Sequence, residues 1–136
     1  MAVMELERLK IASKSENMVL VEKMINNVCK LRKVGEDYYG NILVALTEAV
    51  TNAILHGNKG NPEKNVDIIC DSTDTNLTFT VKDEGAGFDP GHIPDPTAAE
   101  NIEKPSGRGV FLMKNLADKV EFSDNGRTVL LNFKVA

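Results

Sequence analysis

LTEAVTNAILHGN, residues 46 to 58, is the stretch on which the fold turns. Leu46, Ala49, Val50, Ala53 and Ile54 recur at three- and four-residue steps, with Ile42 one turn earlier. That spacing predicts an amphipathic helix from Glu36 to Leu55, closed by Gly57. Glu48, Asn52 and His56 repeat every four residues and so share a second, polar face of the same helix.

Toward the amino terminus, Val21, Met24, Ile25, Val28 and Leu31 mark another one-faced helix. Ser13 and Glu16 have the spacing of a capping box at its start, and Gly35 suits its end. A strand is expected before it, Glu5 to Ala12. Toward the carboxyl terminus, strands are expected at Val66 to Cys70 and at Leu77 to Val81, where Leu77, Phe79 and Val81 alternate with polar residues around the turn-forming DSTDTN. From Glu84 to Ser106 periodicity ceases, and four of the five prolines (Pro90, Pro94, Pro96, Pro105) fall there. A connection that long inside a domain reads as a lid. A third helix, Gly109 to Lys119, carries Val110, Met113, Leu116 and Ala117 on one side. Val120 to Phe122 and Thr128 to Val135 then form a hairpin through Asn125-Gly126, a dipeptide suited to positive φ at both positions.

The order β-α-α-β-β-lid-α-β-β specifies an α+β two-layer sandwich, with a mixed, mainly antiparallel sheet covered on one face by three helices. Its 136 residues suit a single domain, 1–136. A net charge of −4 with interspersed signs disfavours general nucleic-acid binding. Two cysteines, Cys29 and Cys70, have no second Cys or His at ligand spacing, which argues against a disulfide frame or a zinc site and for a reducing cytoplasm. No apolar run approaches the ~20 residues that span a bilayer, so no membrane association is expected.

Three groups of residues could carry chemistry. A helical carboxylate and carboxamide one turn apart, Glu48 and Asn52, suit a proton acceptor and a hard neutral ligand for Mg²⁺, although a glutamate on a helix is more often solvated. Asp83-Glu84-Gly85-Ala86-Gly87 ends a strand, where an aspartate flanked by glycines is either a turn or a place where backbone approaches a flat ligand. Gly107-Arg108-Gly109 opens a helix, whose amides and dipole favour phosphate, with Arg108 as either a fork for it or an incidental surface charge. Their order allows one pocket: metal ligand, purine contact, lid, phosphate-binding helix start.

Together these segments resemble the boxes of the GHKL ATPases: LTEAVTNAILHGN the N box, DEGAGF (83–88) the G1 box and GRGVFLM (107–113) the G2 box. The compact length and the TEAVTNA wording are similar to the anti-sigma-factor serine kinases within that superfamily. The resemblance implies the GHKL, or Bergerat, ATP-binding fold with a long ATP lid. It implies that Asn52 coordinates Mg²⁺ on the phosphates and that Glu48 is the general base. Asp83 would accept from the adenine amino group, supported through water by Thr128. Gly85 and Gly87 would hinge the lid, while Gly107, Arg108 and Gly109, with Val110 after them, would hold the nucleotide phosphates. His56 matches a histidine common after the N box, and its residue-level reading is a packed or capping side chain. The G2 box has two glycines where many relatives have three.

The function implied is an ATP-dependent serine kinase acting on a STAS-type anti-anti-sigma protein, which would regulate a sigma factor by partner switching, in the cytoplasm and as a homodimer. Two alternatives stay open: a nucleotide-gated binding module without phosphotransfer, and a stand-alone histidine kinase catalytic domain. Neither GxxxxGK[ST] nor a glycine motif leading into a helix is present, which excludes P-loop and Rossmann sites.

Overall fold

A computed structural model describes residues 2–85 and 105–135, with side chains at 2–85 and 109–135. Five strands, β1 (Met4–Ala12), β2 (Asn65–Ser72), β3 (Asn76–Lys82), β4 (Lys119–Ser123) and β5 (Thr128–Lys134), form one sheet in the order β1-β2-β3-β5-β4. Each neighbouring pair is antiparallel. In the three central strands alternate residues are buried, and register stacks them: Ile68 faces Val81, Cys70 faces Phe79, and Phe79 faces Leu131. The result is one apolar face, with Phe79 and Phe133 in an edge-to-face contact at 6.1 Å between ring centres.

Helices α1 (Met18–Leu31), α2 (Glu36–Asn52) and α3 (Pro105–Leu116) complete the expected α+β sandwich. Every member of the predicted α2 stripe, from Ile42 through Ala53 and Ile54, is buried. Val110 and Met113 of α3 join the same core as Val21, Met24, Ile25 and Val28 of α1. Among the described residues no helix is long and apolar enough to cross a membrane.

The element ends differ from their sequence signals, each for an identifiable reason. No capping box forms at α1: its N-cap is Asn17, without a side-chain cap bond. The Ser13 hydroxyl instead donates to the Lys64 carbonyl at 2.7 Å. Gly35 does not stop α1, because it is extended and forms the N-cap of α2. Lys33 takes the left-handed position at φ 54°, while Val34 N–H reaches Cys29 O at 2.9 Å and Lys33 N–H reaches Lys30 O at 3.2 Å, the Schellman pattern. α3 begins at Pro105 rather than Gly109, since proline is preorganised for the first helical position, and it ends before Lys119, which opens β4. The β4–β5 connection is residues 124–127, with positive φ at Asp124 as well as at Asn125 and Gly126.

Gly57 does not close an α-helix either. α2 passes into a π turn, Ala53–Gly57, where Asn58 N–H donates to Ala53 O, five residues back, at 2.8 Å. The left-handed residues follow later, at Lys59 and Gly60. Single π turns of this kind are rare and frequent at functional sites.

Candidate functional site

The buried stripe of α2 fixes which way its polar flank faces. With Ala45, Leu46, Ala49 and Val50 in the core, Glu48 and Asn52 lie half-buried one turn apart at the helix's side. α3 comes up against them at Gly109: a methyl added there would sit 2.5 Å from Asn52 Nδ2 and 3.1 Å from Glu48 Oε2. A Cβ at this position would push the Asn52 and Glu48 side-chain ends out of the places they hold. The N-box pair and the G2 segment, 57 residues apart from Asn52 to Gly109, are thus in contact. Among the described residues neither Glu48 nor Asn52 makes a side-chain hydrogen bond, so both polar ends are available to a ligand.

The second half hangs from the π turn. The i→i+5 winding breaks the four-residue line through Glu48 and Asn52, and the residue it sets against Asp83 is Gly57, not His56. His56 is exposed, neither packed nor capping, and it leaves the line that a regular helix would have drawn through Glu48 and Asn52. A methyl on Gly57 would lie 2.4 Å from Asp83 Cγ and Oδ2. A methyl on Gly85 would lie 1.8 Å from the Gly57 carbonyl oxygen. Gly85 is therefore required by close backbone approach and not by positive φ. Asn52 thus belongs to the same continuous helical segment against which Asp83 sits at Gly57, five residues on.

The Asp83 corner is pinned. Asp83 N–H donates to Arg127 O at 2.9 Å, and Asp83 Oδ1 accepts from Gly85 N–H at 2.8 Å. Arg127 Nε donates to Gly85 O at 2.7 Å. Burial pushes the Asp83 carboxyl above the usual aspartate range, opposed by the Gly85 N–H and by the Arg127 guanidinium. Asn58, fully buried, accepts from Glu84 N–H at 2.7 Å.

Not every expected residue joins this arrangement. Thr128 pairs with Lys82 and Ser123, so alternation places its side chain on the sheet face opposite Val129; the support expected of it ran through water, and no direct contact with Asp83 is described. The preceding residue, Arg127, makes the contact with the Asp83 corner. Gly107, Arg108 and Gly109 lie within the first turns of α3 and not ahead of it; the free amides within the helix start belong to 106 and 107, since Pro105 has none. Val110 points into the core. Gly87 and most of the expected lid lie outside the described residues, as does the Arg108 side chain.

The profile of the histidine kinase-like ATPase domain matches residues 11–133, which include every element of this site. The chain belongs to that family. As a histidine kinase-like ATPase it has ATP as its ligand. Its relatives include the anti-sigma F factor of Bacillus cytotoxicus, 39% identical over 87 residues, or 62% of this chain and 59% of that protein. The anti-sigma F factor of Oceanobacillus iheyensis is 32% identical over 113 residues, 81% of this ATPase and 77% of its relative. A third, from Bacillus thuringiensis, is 38% identical over 87 residues. The match thus spans less than two thirds of the length of the Bacillus proteins.

Arg127 and Asn58 escaped the sequence reading. Their partners are 42 and 26 residues away in the chain, so no local pattern marks them. The only local hint at Asn58 is its place immediately after Gly57, where a second polar residue interrupts the apolar stripe.

Proposed function

We propose that this chain is an ATP-dependent serine kinase of the anti-sigma-factor type, working by partner switching. The observation that carries the reading is the double attachment of one helical segment: Asn52 and Glu48 against the start of α3, and Gly57 against the Asp83 corner. A nucleotide laid along that segment would meet an adenine acceptor at one end and a phosphate cradle at the other.

Asp83, ionised and held by Gly85 N–H, accepts from the adenine amino group, with Arg127 backing it in the place first expected of Thr128. The first-turn amides of α3 face the phosphates, joined by Arg108. The donor set fits magnesium: among the described residues no three His, Cys, Asp or Glu gather into a cage. Mg²⁺ keeps its waters and takes substrate phosphates with one or two protein ligands, a demand that the Asn52 carboxamide meets. When bound, the ion would offset charge on the transferring phosphoryl group. Glu48, one turn from Asn52, accepts the proton of the attacking seryl hydroxyl.

The relatives' name supports a sigma factor and an anti-anti-sigma protein as partners, the latter of STAS type. The same likeness carries a cytoplasmic location and a homodimer into the proposal. The test is transfer from labelled Mg-ATP to STAS proteins of the same source. Phosphoserine should appear on one of them, and Glu48→Ala should abolish transfer while nucleotide still binds. Binding without transfer to any candidate would leave a nucleotide-gated module, and undiminished transfer by Glu48→Ala would remove Glu48 as base.

A further inference from the structure

Asn58 sits just past the π turn with no exposed surface, and its carboxamide closes a ring of three segments. Nδ2 donates to Asn65 O at 3.0 Å and to Ser13 Oγ at 2.8 Å, while Oδ1 accepts from Glu84 N–H at 2.7 Å. Asn65 N–H in turn donates to the Glu84 carboxylate. The orientation of the amide is dictated, because a backbone N–H can only donate and a backbone carbonyl can only accept. Ser13 Oγ passes its own proton to Lys64 O at 2.7 Å, so each group in the chain of bonds has a partner.

This ring grips the peptide linking Asp83 to Glu84. On Asp83's other flank the grip comes from the residue just before β5, through Asp83 N–H on Arg127 O and Arg127 Nε on Gly85 O. Two independent clamps thus hold the residue whose carboxylate faces the helix. Remove the Asn58 clamp, and the 83–84 peptide can rotate, carrying the carboxylate with it. An apolar residue of similar volume would fill the same space, yet it would leave Glu84 N–H and Asn65 O without their partner.

We propose that Asn58 is a positioning residue for base selection: it aims Asp83 at the 6-substituent of a purine and so sets the preference for an amino over an oxo group there. The inference rests on the reading of Asp83 as the adenine acceptor. The probes are ATP and inosine triphosphate, which differs at that substituent, each with magnesium and titrated calorimetrically into the full chain. Because both affinities are taken on one variant, their ratio is insensitive to the folded fraction, so a purely structural role would leave it unchanged.

Asn58→Ala should narrow the ATP preference by about tenfold, the scale of one hydrogen bond to a charged acceptor. In an Asp83→Asn background the same substitution should have no further effect on the ratio. If Asn58→Ala lowers both affinities equally while Asp83→Asn alone narrows the ratio, the positioning role is overturned and Asp83 stands. If Asp83→Asn leaves the ratio intact, the adenine reading itself falls and the inference with it. Should Asn58→Ala fail to fold, Ser13→Ala removes one acceptor of the amide and carries the same readout: a narrowed ratio supports the role, an unchanged one refutes it.

Discussion

Around Asp83 the backbone is stitched at each step. Asp83 N–H, Glu84 N–H, Gly85 N–H and Gly85 O all have partners drawn from Arg127, from Asn58 or from Asp83 itself. Around Glu48 and Asn52, by contrast, the helices meet through the bare Cα of Gly109, and neither polar side chain is hydrogen-bonded within the described residues. One end of the site is built before ligand arrives; the other offers groups that a ligand must engage. If the Asp83 corner receives the base, as proposed, its preformed state suits selection, because recognition loses least when no ordering cost remains. Under the same proposal, the Glu48 and Asn52 side chains, not held by other side chains among the described residues, suit a step in which charge moves, since they are free to strengthen their contacts as it does.

The sharpest way to break this contrast is Gly85→Ala. The new methyl would meet the Gly57 carbonyl, and backbone cannot yield as a side chain can. The Asp83 corner should shift, with ATP affinity falling on the order of 100-fold and a lower melting temperature. Unchanged binding by calorimetry would show that the corner is not preformed.

Gly109→Ala should behave oppositely in its two readouts. Its methyl meets the far ends of Asn52 and Glu48, which can swing aside, and alanine is favoured over glycine inside a helix by up to ~1 kcal/mol. The melting temperature should hold or rise while phosphotransfer drops about tenfold or more. Loss of fold and activity together would mean that the phosphate end is as rigid as the base end.

The mildest test is Asp83→Asn without nucleotide. Asp83's carboxyl is raised in the folded state, chiefly by burial. The stability linked to that shift is present below the ordinary aspartate range and is lost as pH rises through the folded value, so at neutral pH the ionised group is a burden. Asp83→Asn should therefore melt slightly higher at pH 7, with the gain disappearing in acid, while ATP binding weakens. For the unaltered chain the same shift makes ATP affinity fail earlier on acidification than an ordinary carboxylate would dictate. A neutral-pH melting temperature below that of the parent would contradict the cost assigned to Asp83.

Periodic features were legible in advance because they report burial directly. The stripe through Ile42, Leu46, Ala49, Val50, Ala53 and Ile54 is core, and the alternation at Leu77, Phe79 and Val81 marks the buried sheet face. So was the shared flank of Glu48 and Asn52, which a helix places at fixed spacing and which the structure sets against Gly109. What stayed hidden depends on partners distant in sequence. The Ser13–Glu16 pattern looks like a local cap, but the hydroxyl is claimed by residues 45 and 51 positions away. Gly35 looked like a helix stop, yet the Schellman bonds close on Lys33, accepting a non-glycine left-handed residue. The π turn has no composition of its own. It displaces His56 and installs Gly57 because that glycine must admit Asp83, a demand made by a different strand.

That wide turn also makes the helix a phase adjuster. Each residue of an α-helix advances the chain by about 100°. A one-residue deletion between Ala53 and Gly57 would therefore re-index everything after it, swinging the Gly57–Asn58 step away from the strand end, while Glu48 and Asn52 upstream kept their bearing. The surplus residue thus decouples the two ends of the proposed site: a change in the turn would re-aim one without disturbing the other.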